Sequence, residues 1–174
     1  MGLRHGLVAL AAVAILAVGG CKKAEIKSDN PAYQKVDGEY LKTGGDSSDW
    51  AMTGFSYNEA RFSPLKNIND TNAKDLGIAW FADLPDARGQ EATPVVVDGK
   101  LFVSTAWSKV FAYDAKTGKP LWSFDPKVDK ARGVKACCDV VNRGVAFWKG
   151  RIFVGTIDGR LISLDAETGK EVWS

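Results

Sequence analysis

Apolar and polar positions divide this chain into three stretches of different character. Leu7 to Val18 is an apolar run behind a short basic start, Arg4 and His5. Lys22 to Gly45 is polar, with Lys, Asp, Gly and Ser scattered through it, and reads as a tether or extended arm. Asp46 to Phe55 has no clear period, and Asn67 to Leu76 has room for one helical turn capped by Asn69 or Asp70. From Ile78 onward the pattern predicts strands. Thr93 to Val97, Leu101 to Thr105, Val110 to Tyr113 and Leu121 to Phe124 form one set, with a hairpin turn at Asp98-Gly99 and a longer turn over Asp114 to Lys119. A second set follows at Val145 to Trp148, Ile152 to Thr156, Leu161 to Leu164 and Val172 to Trp173.

The two sets are copies of one unit. Gly99 to Ser123 aligns without a gap on Gly150 to Ser174 at a constant offset of 51, with 11 of 25 positions identical. Four short strands recurring at a period near 50 are the signature of a β-propeller blade. In the repeated turn, Asp114 and Asp165 accept turn hydrogen bonds, while Gly118 and Gly169 supply left-handed backbone. Trp122 and Trp173 are expected to carry flat aromatic area to the junction with a neighbouring blade. The fold class is therefore all-β.

Composition agrees and narrows the chemistry. The 174 residues suit one ordinary domain, and six Trp with 18 Gly lean toward a turn-rich β-fold. A net charge of +2, from 23 basic and 21 acidic residues, gives no pull toward nucleic acid. The apolar run is too short to span a bilayer comfortably and reads as an export signal, residues 1–20. Val18-Gly19-Gly20-Cys21 resembles a lipoprotein cleavage box, which makes Cys21 the expected lipidation site; ordinary signal cleavage nearby is the alternative. Either route exports the chain, most simply to the periplasm, where disulfides persist and the only membrane contact is a lipid anchor. Residues 21–46 are then the tether and 47–174 the first propeller blades. The sole histidine, His5, lies in the signal. That removes histidine-based triads, zinc–histidine sites and a haem-attachment motif from the exported chain.

One stretch carries reactive groups: Gly133-Val134-Lys135-Ala136-Cys137-Cys138-Asp139-Val140-Val141-Asn142-Arg143-Gly144. A disulfide between adjacent cysteines closes so small a loop that it stabilises by only about 1 kcal/mol before strain. Neighbouring Cα atoms lie about 3.8 Å apart, closer than ordinary disulfides place them. Oxidised, the pair makes a small rigid ring suited to contact; the other reading is two independent buried thiols. Arg143 adds a planar donor fork suited to carboxylate or phosphate, or to a structural ion pair.

Ala112-x-Asp114-x-x-x-Gly118-x-x-x-Trp122 and its copy over Ser163 to Trp173 resemble the tryptophan-docking motif of eight-bladed quinoprotein propellers. Asp49-Trp50, Arg61 to Leu65, Gly89 to Pro94 and the cysteine stretch resemble the N-terminal part of pyrroloquinoline quinone (PQQ)-dependent alcohol dehydrogenases, the quinohaemoprotein subgroup above all. The likeness covers Ser47 to Ser174 and implies about two blades of an eight-bladed ring, with the chain a fragment of the enzyme. It implies that Cys137 and Cys138 form a disulfide ring over one face of PQQ, that Glu91 contacts the cofactor and that Arg143 pairs with a PQQ carboxylate. It places the catalytic aspartate, the Ca2+ ligands and any haem c domain outside this segment. Alcohol is the implied substrate and a cytochrome the implied electron acceptor. A sugar-oxidising quinoprotein fits the adjacent cysteines poorly. The rival from another class is a non-catalytic propeller lipoprotein of the outer-membrane assembly type, which gives Glu91 and the cysteine pair no role.

Overall fold

The computed structural model describes residues 28–174, so the signal and Cys21 lie outside the described residues. Two four-stranded antiparallel sheets dominate it, each a simple meander. The first contains β1 (Val95–Val97), β2 (Lys100–Ser104), β3 (Val110–Asp114) and β4 (Pro120–Phe124). A short strand, β5 (Cys137–Val140), stands apart from both sheets. The second sheet contains β6 (Ala146–Trp148), β7 (Arg151–Gly155), β8 (Leu161–Asp165) and β9 (Glu171–Trp173). Both are the propeller blades that the repeat predicts, with strand limits moved by no more than two residues.

The blades bury alternate residues. Val95 and Val97 of β1, Phe102 of β2, Val110 and Ala112 of β3 are sealed from solvent, and Phe147, Ile152, Val154, Ile162 and Leu164 repeat this in the second blade. Phe102 meets Phe147 at 5.8 Å between ring centroids, which joins the two sheets into one core. Both long turns have one design: Asp114 Oδ1 accepts from the amide and hydroxyl of Thr117, and Asp165 Oδ1 from those of Thr168. Trp122 closes the seam. Its Nε1 donates to the Ala166 carbonyl at 3.1 Å, and its ring lies on Gly169 of the second blade's turn. Trp173, by contrast, rests on Phe153 of its own sheet at 5.9 Å.

Two expectations need correction. The polar segment is not a tether over its described part. Asn30 caps α1 (Pro31–Gln34) and Asp37 caps α2 (Gly38–Thr43), each through a side-chain oxygen on early helix amides. Tyr33 and Val36 between these caps are fully buried in the common core. Lys100 Nζ donates to the Tyr33 hydroxyl at 2.9 Å and pairs with Glu167 at 2.8 Å, so the segment bolts across both blades. Tyr40 and Leu41 of α2 pack against the same core, partly buried.

The second correction concerns Ile78 onward. Residues 78–84 run without ladder partners among the described residues, and the first strand begins at Val95. The helical turn expected within 67–76 is a single 3-10 turn at Ala73–Asp75. Trp80 nevertheless docks like Trp122: its Nε1 donates to the Ala115 carbonyl at 3.0 Å and its ring covers Gly118.

Candidate cofactor-binding site

The connection from β4 to β6 builds the site. Asp129 caps a 3-10 turn over Lys130–Lys135 that delivers the chain to β5. This turn sits tightly against the first blade: a Cβ on Gly133 would come within 3.0 Å of both the Trp107 ring and a Val140 methyl. Val140 anchors β5 in the interior, while Cys137 and Cys138 at its other end are exposed. They are two free thiols with Sγ atoms 2.8 Å apart, not the closed ring that the family resemblance implies. Nor are they the buried thiols of the simpler reading. Hydrogen bonding and charge from Cys137 push the Cys138 thiol above its ordinary value, with smaller opposition from the Arg143 guanidinium.

Asn142 fixes the following loop. Its amide nitrogen donates to the Gly155 carbonyl at 2.9 Å, and its oxygen accepts from Ser104 Oγ at 2.6 Å and from the Gly144 amide at 3.2 Å. It therefore ties the loop to both blades at once. Gly144, at φ 138°, brings the chain against residue 93, where the Thr93 amide donates to the Arg143 carbonyl at 3.2 Å. A Cβ on Gly144 would stand 3.1 Å from the Thr93 carbonyl oxygen. The sequence reading assigned nothing to Asn142; an amide that can donate and accept between two glycine-flanked turns was the available signal.

This fastening brings Glu91 to Arg143, whose Nε donates to Glu91 Oε2 at 3.1 Å. The carboxylate raises the arginine further above its already high ordinary value. The Arg143 side chain stays 73% exposed, so the guanidinium is presented rather than entombed. Three of the four candidate residues, Cys137, Cys138 and Arg143, share one hollow, and Glu91 joins them through its bond to Arg143. The two cysteines, Val141, Arg143 and Ile157 line one open hollow of about 290 Å³. A wider hollow, about 650 Å³, lies by Lys100, Glu167 and Asn30, where Lys100 is already paired.

The arrangement suits a flat anionic molecule. The thiol pair and the apolar side chains offer surface, and a guanidinium at the rim offers a fork for a carboxylate. Among the described residues no group of three or more His, Cys, Asp or Glu side chains is placed to hold a metal ion. No described helix is long and apolar enough to cross a membrane.

The sequence profile of the PQQ family, "Glucose/ethanol/alcohol dehydrogenase, beta-propeller domain", matches residues 50–174. This chain belongs to that family. It is 54% identical over 143 residues to the quinohemoprotein alcohol dehydrogenase of Comamonas testosteroni, covering 82% of this chain and 20% of that protein. Against the crystal structure of the Comamonas testosteroni enzyme the TM-score is 0.77, at 55% identity over 82% of this chain and 21% of that one. The 1-butanol dehydrogenase (cytochrome c) of Thauera butanivorans is 52% identical over 125 residues, which are 72% of this chain and 18% of that protein. The quinohemoprotein alcohol dehydrogenase ADHIIG structure from Pseudomonas putida gives a TM-score of 0.79, at 46% identity over 83% of this chain and 21% of that one. The chain thus spans about a fifth of the length of the relatives it matches.

Proposed function

We propose that residues 47–174 supply one wall of the PQQ site in a periplasmic alcohol dehydrogenase whose propeller is an eight-bladed ring. The observation that carries this reading is the convergence of Cys137, Cys138 and Arg143 on one open hollow, with Glu91 held to Arg143, in a chain of this family. When bound, PQQ supplies the two-electron chemistry that oxidises a primary alcohol to its aldehyde. The residues of this chain hold and orient it. Arg143 offers its fork to a cofactor carboxylate, Glu91 fixes the direction of that fork, and the cysteine pair presents a flat contact that excludes water from one face. Ca2+ is held by residues outside this segment, as is the proton-abstracting aspartate.

Electrons leave to a cytochrome, as the name of the Thauera butanivorans relative says of that protein, and haem c fits the quinohemoprotein relatives. Nothing in the hollow favours the non-catalytic propeller reading. Titrating PQQ into the cofactor-free full-length enzyme tests the proposal. Arg143→Ala should weaken binding on the order of 10- to 100-fold, and Arg143→Lys less, since lysine keeps charge but loses the fork. An unchanged titration for the alanine variant returns Arg143 to a surface ion pair with Glu91. Cys21 is the proposed lipid anchor; mass analysis of the exported protein giving any other first residue would refute that.

A further inference from the structure

Asp139 directly follows Cys138 and sits at φ 63°, a left-handed conformation that aspartate tolerates better than most residues but does not prefer. This bend follows the pair immediately and sets the direction in which the chain leaves it. Arg88 grips the Asp139 carboxylate with two donors: Nε reaches Oδ2 at 2.8 Å, and Nη2 contacts Oδ1. A planar fork on a planar carboxylate fixes orientation as well as distance. The pair joins elements 51 residues apart.

Arg88 is itself held to the first blade. Asp86, two residues before it, pairs with Lys109 at 3.1 Å and accepts a hydrogen bond from Thr105 Oγ1. Glu91, three residues after Arg88, holds Arg143. Two ion pairs of opposite polarity therefore join the same two loops, one at the cysteine pair and one at the rim of the hollow. An exposed ion pair contributes little to global stability. Its effect here is local, because it acts on the residue next to the thiols.

We infer that Arg88 and Asp139 form a positioning clamp that holds Cys137 and Cys138 in the arrangement from which their disulfide closes, and so sets the redox stability of the pair. This rests on the proposed cofactor site only for its purpose, which is a pre-shaped wall for the bound molecule. Closure removes two S–H bonds and forms one S–S bond. The two electrons and two protons go to an oxidant of the disulfide class, which becomes a dithiol.

The test uses the full-length, cofactor-free protein, equilibrated in mixtures of reduced and oxidised dithiothreitol, alkylated, and read by peptide mass. Arg88→Ala and Asp139→Asn should each move the equilibrium about tenfold toward the dithiol, which is about 30 mV for a two-electron couple. Asparagine tolerates the same backbone region, so its effect reports the lost ion pair rather than the bend. Arg88→Lys should fall between wild type and Arg88→Ala. Arg88 is half exposed, so its truncation should fold; if it does not, Arg88→Lys and Asp139→Asn carry the measurement. An equilibrium within twofold of wild type in Asp139→Asn and in whichever Arg88 variant folds overturns the clamp. PQQ titration of the wild type runs in parallel. A shifted equilibrium without PQQ binding supports the clamp and overturns the cofactor reading, whereas tight PQQ binding with an unshifted equilibrium overturns the clamp alone.

Discussion

Ser163 stands in the second blade where the first has Ala112, and the exchange leaves a polar atom stranded. The side chain is fully buried, and its Oγ has no hydrogen-bond partner among the described residues. Leaving a buried hydroxyl unpaired costs about 1–3 kcal/mol, and its cross-strand partners here, Phe153 and Trp173, offer it no acceptor in their side chains. Ser163→Ala should therefore stabilise the full-length protein by about 1 kcal/mol, read as a higher thermal midpoint with unchanged activity. A lower midpoint would mean that the hydroxyl has a partner in the complete propeller. At this scale the sequence was a good guide to identity and a poor one to role. The motif over Ser163 to Trp173 marks the serine as an exception to its copy, yet nothing local says that it is sealed.

Among elements, the tryptophan on glycine junction links one blade to the next. Gly169 has φ 70°, and a Cβ there would lie 2.5 Å from the Trp122 ring. Gly99 has a similar φ of 68° with nothing within 4 Å, so it isolates the backbone cost. Gly99→Ala should destabilise by about 1–2 kcal/mol through left-handed strain alone. Gly169→Ala should cost clearly more, and it should shift tryptophan emission to the red as Trp122 lifts and loses the Ala166 carbonyl. Equal losses for the two variants would show that the indole contributes nothing at the seam. The fixed offset of 51 made Gly118, Gly169 and Trp122 legible. Trp80 escaped because the strand pattern around it has no copy at that offset, although its docking on Gly118 is the same.

For the molecule as a whole, Tyr33 is the bolt. Burial pushes its hydroxyl up to about 12, with the Lys100 hydrogen bond and charge opposing. The folded state therefore holds this proton more tightly than the unfolded chain, whose tyrosine titrates near 10.0. The resulting stabilisation is complete below pH 10 and is lost as pH rises toward 12. Tyr33→Phe cannot ionise, so its stability should decline less steeply than wild type over that interval. Thermal midpoints measured every half unit would decide it; parallel declines would place the alkaline weakness elsewhere. Neutral-pH stability should still fall in the variant, because Lys100 loses an acceptor in a half-buried position.

The linear sequence by itself determined the blades. Strand alternation, tight turns and the Asp–Gly–Trp spacing are local or strictly periodic, so each copy announces the other. It also determined the chemistry at hand: two thiols, a carboxylate and a guanidinium within the family's pattern. Tertiary structure decided what those groups touch. Glu91 meets Arg143 and Arg88 meets Asp139 only because Asn142 and Gly144 seat one loop against another 50 residues earlier. Tyr33 and Val36 are buried in a core that both blades supply, and no pattern within a polar segment foretells a surface made elsewhere. Periodicity is written along the chain, whereas complementarity between distant surfaces exists only once the chain has folded.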